Sequence, residues 1–138
     1  MDSIDPQQEL FTKLKVEIGK GYNVFDGALP PSDTPYPFVY LGETSIQDDF
    51  GNKTILLADV GVTIHVWSND FNKRGTHSEM LRNIKEIARS ITETATYKWQ
   101  ITSVYQRQLE DTTTTTPLLH GVLELNYKLR GYINAGSS

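Results

Sequence analysis

From Val60 to Ser68 apolar and mixed positions alternate, with Val60, Val62, Ile64 and Val66 set against Gly61, Thr63, His65 and Trp67. A period of two predicts a half-buried strand, and the β-branched residues favour it. The alternation returns in Leu123, Leu125, Tyr127 and Leu129, which interleave with Glu124, Asn126, Lys128 and Arg130. It returns again in Trp99, Ile101, Tyr105 and Leu109, which interleave with Gln100, Thr102, Gln106 and Gln108. Phe38 to Ile46 reads as a further strand and Tyr22 to Phe25 as a short one. The strand through Val60 is expected to begin near Ile55.

Two stretches carry the helical period instead. Leu10, Phe11, Leu14 and Ile18 fall on one face after Asp5-Pro6, where Asp5 caps and Pro6 takes the first helical position. Gly19 and Gly21 are expected to stop this helix. The second helix has its apolar stripe in Met80, Leu81, Ile84, Ile87, Ala88 and Ile91, with Arg82, Lys85, Glu86 and Arg89 on the wet side. Thr76 and Glu79 have the spacing of a capping box, so the helix is expected to start there and to end near Glu93 to Ala95.

Between these elements lie the breaks. Pro30, Pro31, Pro35 and Pro37 predict an ordered, extended loop. Asp48, Asp49, Phe50, Gly51, Asn52 and Lys53 predict a solvated turn closing a hairpin. Asp111 and the run Thr112, Thr113, Thr114, Thr115 and Thr116 predict a loop or an extended edge. The tail from Asn134 to Ser138 is small and polar, and is expected to be loose. The expected fold class is α+β: one domain over residues 1–138, with two helices on a mostly antiparallel sheet of four to five strands, in the order α-β-β-β-α-β-β.

Composition narrows the function. A hydrophobic fraction of 38% with 22% charged residues suits a globular core. There is no cysteine, which excludes disulfides and thiolate metal sites. The first residues, Met1 to Pro6, are polar and acidic, unlike a secretory signal, and no apolar run approaches the roughly 20 residues of a membrane span. Assembly in a cytoplasm is therefore expected. A net charge of −4 argues against sequence-independent nucleic-acid binding.

No catalytic motif stands out. His65, His77 and His120 lack metal-ligand spacing, and no serine sits in a nucleophile elbow. His65 belongs to a sheet surface and His77 to an exposed first helical turn. Asp48 and Asp49 are adjacent, so on a strand they point to opposite faces, poor geometry for shared acid–base work. No cofactor is called for. Trp67, Trp99, Tyr97 and Tyr105 are types enriched both in cores and at interfaces.

One resemblance sharpens this reading. The chain runs through Val24-Phe25-Asp26-Gly27, then Pro35-Tyr36-Pro37-Phe38-Val39-Tyr40-Leu41-Gly42-Glu43, then Val62-Thr63-Ile64-His65-Val66-Trp67-Ser68 and an amphipathic helix. Later, Arg107 precedes a loop and Leu119-His120-Gly121-Val122-Leu123 leads into the last strand. In order and spacing, from Val24 to Leu129, this resembles the tail-completion family of long-tailed siphophages, also described as tail terminator or tail-to-head joining proteins. The threonine run departs from the family pattern.

The resemblance implies a non-enzymatic virion protein of the tail and neck, assembled in the host cytoplasm as a hexameric ring. Such a ring caps the tail tube protein, stops its polymerisation and docks on the head completion or connector protein, and DNA then passes through its lumen. Candidate contact residues are Asp48, Asp49, Phe50, Lys53, Trp67 and Thr112 to Thr116, with the segments from Asp48 to Leu57 and from Asp111 to Pro117 as arms ordered by assembly. The alternative reading is a monomeric binding module or assembly factor that forms no ring.

Overall fold

Seven elements follow one another in the expected order, in a computed structural model that describes residues 5–27, 34–49, 57–69, 74–111 and 118–132. They are α1 (Pro6–Gly19), β1 (Val24–Asp26), β2 (Phe38–Asp49), β3 (Leu57–Ser68), α2 (Arg74–Ser90), β4 (Tyr97–Asp111) and β5 (Leu118–Tyr132). The strands form one sheet in the order β1-β2-β3-β5-β4. Neighbours are antiparallel except β1 and β2, which run parallel. The α+β class and the element order are as the sequence predicts.

β3 is the middle strand. Its inward positions Val60, Val62, Ile64 and Val66 are all at most 1% exposed, and they face Tyr127, Leu125, Leu123 and Gly121 of β5. Both helices cover this face. From α1 come Leu10, Leu14 and Ile18, and from α2 Leu81, Ile84 and Ala88. Burial of each such side chain contributes about 1.5–3 kcal/mol, so the two stripes and the central strands carry most of the stability. Tyr127 sits in this core, and its hydroxyl donates to the Ala88 carbonyl at 2.6 Å. Burial pushes that phenol upward in pKa, so it remains a donor.

α2 lies close to β5 because position 121 has no side chain. A Cβ on Gly121 would stand 2.9 Å from Leu81 Cδ2 and 3.1 Å from His77 Nε2. Leu81 is itself 1% exposed and has nowhere to move.

Several boundaries differ from the expected ones. α1 begins as predicted, with the Asp5 carboxylate accepting from Gln7 N at 2.9 Å. Its end does not use a left-handed glycine. Gly21 N and Tyr22 N both donate to the Ile18 carbonyl at 3.1 Å, Lys20 stays right-handed, and neither Gly19 nor Gly21 has positive φ. The short strand starts at Val24, not Tyr22.

α2 starts at Arg74, so Thr76 and Glu79 lie inside the helix and are exposed. The buried stripe gains a turn because His77 turns inward beside Ser68. The helix stops at Ser90, short of Glu93 to Ala95, because strand-like pairing takes over. Glu93 bridges Lys98, Thr94 N donates to Tyr97 O at 2.8 Å, and Trp99 N donates to Thr92 O at 2.9 Å.

β2 continues past Ile46, with Asp48 opposite Ala58 and Asp49 opposite Leu57. These aspartates are strand residues rather than turn residues, since the ladder with β3 continues through them, and Asp48 is exposed. β4 is irregular at Lys98/Trp99 and at Ile101/Ser103. An inserted residue flips the faces that follow. Val104 therefore packs on the core, while Tyr105 (57% exposed) and Leu109 (43%) point away from it, against the simple alternation.

Candidate interaction surface

The face of the sheet opposite the helices is organised in rows, because residues directly opposite in an antiparallel ladder share a face. Phe38, Trp67, His120 and Leu109 form the first row across β2, β3, β5 and β4. Tyr40, His65, Val122 and Arg107 form the second. Farther along come Ser45, Gly61, Asn126 and Ser103, then Gln47, Asp59, Lys128 and Gln100. The face thus grades from aromatic at one end to small and polar at the other.

The aromatic end is tightly stacked. Trp67 lies flat on His120, with ring centroids 3.7 Å apart and planes 11° from parallel. His120 Nε2 and His65 Nδ1 share a hydrogen bond of 2.8 Å, and Tyr40 borders His65. Only one of those two nitrogens can supply the proton, so the contact requires one imidazole to accept. Glu43 Oε1 stands 3.8 Å from His65 Nε2. A Cβ on Gly42 would meet that same nitrogen at 3.0 Å, so the bulge between Leu41 and Thr44 lets His65 sit close to the strand. Val122 is 1% exposed on this face and Phe38 8%, so the stacked rings shield an apolar patch beneath them.

The polar end is flat. A Cβ on Gly61 would lie 2.7 Å from Ser45 Oγ, and Asn126 Nδ2 donates to Ser103 Oγ at 3.0 Å. Exposed ion pairs join neighbouring strands: Arg107 with Glu124 at 3.6 Å and, within the last row, Lys128 with Asp59 at 3.5 Å. Such pairs contribute about 0–1 kcal/mol each.

Of the residues singled out in the sequence, Trp67 belongs to the stacked end and Asp48 to the exposed tip of β2. Asp49 is the last residue of β2. Phe50, Lys53 and Thr112 to Thr116 lie outside the described residues, as do most of the two proposed arms.

The sheet also has two unlike edges. β1 covers β2 only as far as Asp26 opposite Leu41, so no described strand pairs with the outer side of β2 beyond that point. β4 is the other edge along its whole length. Glu43 and Asp48 stand exposed on the first edge, Lys98 and Arg107 on the second.

The fold is one found in a virion. Over 93% of its length the chain matches 95% of a chain in the virion of the native gene transfer agent particle, with a TM-score of 0.57 and 16% sequence identity. No family model and no curated protein matches the sequence. At that identity the likeness establishes the architecture.

Among the described residues no group of three or more potential ligands could hold a metal ion. His77, expected at the surface, is 3% exposed, and its Nδ1 shares a 2.8 Å hydrogen bond with Ser68 Oγ. That serine–histidine pair is closed off from any substrate by the burial of the ring. No helix among the described residues is long and apolar enough to cross a membrane.

His77 gives a pH dependence. Burial holds its imidazole below the ordinary 6.5; the Gln108 side chain opposes this in smaller measure, without a well-aligned hydrogen bond to Nε2. Between the folded and unfolded pKa values the unfolded chain binds the extra proton, so stability falls as pH falls. The contribution is complete above 6.5 and is lost on approach to the depressed folded value. Urea midpoints are expected to drop between about pH 7.5 and 5. His77→Gln should flatten that part of the profile; an identical slope in both proteins would show that His77 titrates normally.

Proposed function

We propose that this chain is a structural virion protein, a tail completion protein that closes into a ring at the head-proximal end of a phage tail. The observation that carries this is the fold shared with a virion chain over nearly the full length of both. The ordered series from Val24 to Leu129, with its resemblance to the tail-completion family, supplies the finer assignment.

The free edges fit such a role. A head-to-tail contact between two different surfaces closes a ring when the rotation per subunit allows it. β2 beyond Leu41 and β4 are two such surfaces, and strand addition would satisfy the backbone groups of both. β2 carries the acids Glu43, Asp48 and Asp49, while β4 carries the bases Lys98 and Arg107 and ends in Glu110 and Asp111. The stoichiometry of six comes from the family resemblance. In this reading the ring caps the tube protein, docks on the head connector and lets DNA pass. A net charge of −4 suits passage, because a surface that neutralised phosphates would retain the DNA. The protein contributes contacts rather than catalysis.

Deleting the gene in its phage is the direct test. The expected result is heads without tails, together with free tails of abnormal length. Normal virions at normal titre would exclude the assignment.

A further inference from the structure

On the helix-free face, two imidazoles are joined by a single proton. His65 Nδ1 and His120 Nε2 stand 2.8 Å apart. The ring centroids are 5.1 Å apart and the planes 28° from parallel. That separation is the N···N distance plus two ring radii, so the rings meet edge to edge and the bond runs close to both planes. Such a contact needs one N–H and one lone pair. With a proton on both nitrogens, two cationic donors point at each other at hydrogen-bond distance, and like charges that close repel.

The surroundings accept a first added proton. Glu43 Oε1 lies 3.8 Å from His65 Nε2, although its side chain is 79% exposed and water screens it. Trp67 lies flat on His120 with centroids 3.7 Å apart, and an indole face attracts a cationic ring. One added proton therefore leaves an imidazolium donating to an imidazole, a charge-assisted bond stronger than the neutral one. The other charged groups on this part of the face, Arg107 of β4 and Glu124 of β5, pair with each other at 3.6 Å. Tyr40 of β2 borders His65, and its hydroxyl donates to the Gly27 carbonyl.

A second proton has to part the rings, and only one of them has room. His65 sits against the Gly42 backbone, where a Cβ would stand 3.0 Å from its Nε2. His120 is the ring that can leave. Val122 lies opposite His65 in the ladder and two residues from His120 on the same face, and it is 1% exposed. Displacing His120 removes part of its cover.

We propose that the His65–His120 pair is a proton-operated latch over Val122. It stays closed while the pair is neutral or carries one positive charge. When both imidazoles are cationic, His120 swings away with Trp67 and bares an apolar patch on the sheet. The latch lies within one subunit and does not depend on the ring reading.

The test is NMR of the full chain, with the histidine rings labelled in 15N and the valine and isoleucine methyls in 13C, between about pH 8 and 4.5. It is run on the wild type and on His77→Gln, which removes the third histidine. At the upper end a 15N–15N coupling across the hydrogen bond should join His65 Nδ1 to His120 Nε2. The coupling should vanish when both rings become cationic. Over the same interval a soluble nitroxide should broaden the Val122 methyls several-fold more, while those of Ile84, in the helix-covered core, stay sharp. His120→Phe keeps a ring for Trp67 but takes no proton, so Val122 should stay shielded at every pH. His120→Gln, smaller and polar, should likewise show no pH step at Val122 and should leave His65 to titrate in one step.

Absence of the coupling at every pH in the folded wild type overturns the latch. So does loss of the coupling with Val122 still shielded, or a pH step at Val122 that survives in His120→Phe and His120→Gln. Broadening of Ile84 together with Val122 would show that acid unfolds the domain as a whole, which also overturns it.

Discussion

Trp99→Ala is expected to lower the unfolding free energy by about 3–5 kcal/mol, the range for deleting a large aromatic side chain from a core. Trp99 is 1% exposed and stands edge-on to both Tyr97 and Tyr127, with centroids 6.1 and 6.2 Å away. Its indole N–H also supplies Thr94 Oγ1. The substitution therefore opens a cavity and removes a buried bond in one step. Typical domains unfold with about 5–15 kcal/mol, so the variant should sit near the edge of folding at room temperature. Trp99→Phe separates the two effects: most of the ring volume stays, the N–H is lost, and a cost of about 1–3 kcal/mol is expected. Urea denaturation followed by circular dichroism measures both. Trp67, the other tryptophan of the chain, gives an independent fluorescence signal. A loss below about 1 kcal/mol for Trp99→Ala would show that the α2–β4 connection does not depend on this side chain.

The second large effect concerns assembly. Replacing Lys98 and Arg107 by glutamate removes both bases of β4 and leaves only acids along that edge. Both positions are exposed, so the fold should hold to within about 1 kcal/mol. The reversed edge then meets Glu43 and Asp48 of the next subunit across every interface of the proposed ring. A penalty of about 1 kcal/mol per interface sums to roughly 6 kcal/mol in a closed hexamer, about four orders of magnitude in ring population. Rings on tube ends, counted by negative-stain imaging, should disappear, and infectivity should fall with them. The complementary pair Glu43→Lys and Asp48→Lys should fail alone and restore rings when combined with the first. If the reversed edge assembles as well as the wild type, the subunits do not join through β2 and β4.

Much of the fold was legible in the sequence because its central pieces have two different faces. Val60 to Ser68 and Leu123 to Leu129 read cleanly, since one face meets helices and the other does not. Asp5-Pro6 located α1 to the residue. The misreadings share a cause, namely partners that lie on another element of the fold. Tyr105 and Leu109 were assigned to the wrong face because bulges in β4 answer to the register of β5, which no local window contains. His77 reads as exposed from its own helix alone, because its partner Ser68 lies on β3. Glu9 gave no signal at all, since its acceptor role is toward Thr96, 87 residues later. The aspartates of β2 read as a turn because their side chains disfavour strands, yet the ladder with β3 extends through them. Of the interaction surface, the sequence showed its residue types, while the stacking of Trp67, His120 and His65 required the register that places them side by side.

The strand order carries a consequence for how the chain is made. β3 lies between β2, its immediate predecessor, and β5, the last of the five described strands in chain order. Until Leu118 and the residues after it emerge, one side of the central ladder has no partner, and Val60, Val62, Ile64 and Val66 lack the β5 half of their core. The nascent chain can form α1, the β2–β3 hairpin and α2 locally, but it can close the sheet only once β5 has emerged. Pairing strands so far apart in the chain slows this closing step. A half-made sheet with a bare apolar centre would also be open to neighbouring chains at the high local concentration of a polysome. A chain terminated before β5 should accumulate as aggregate and not as a smaller folded domain.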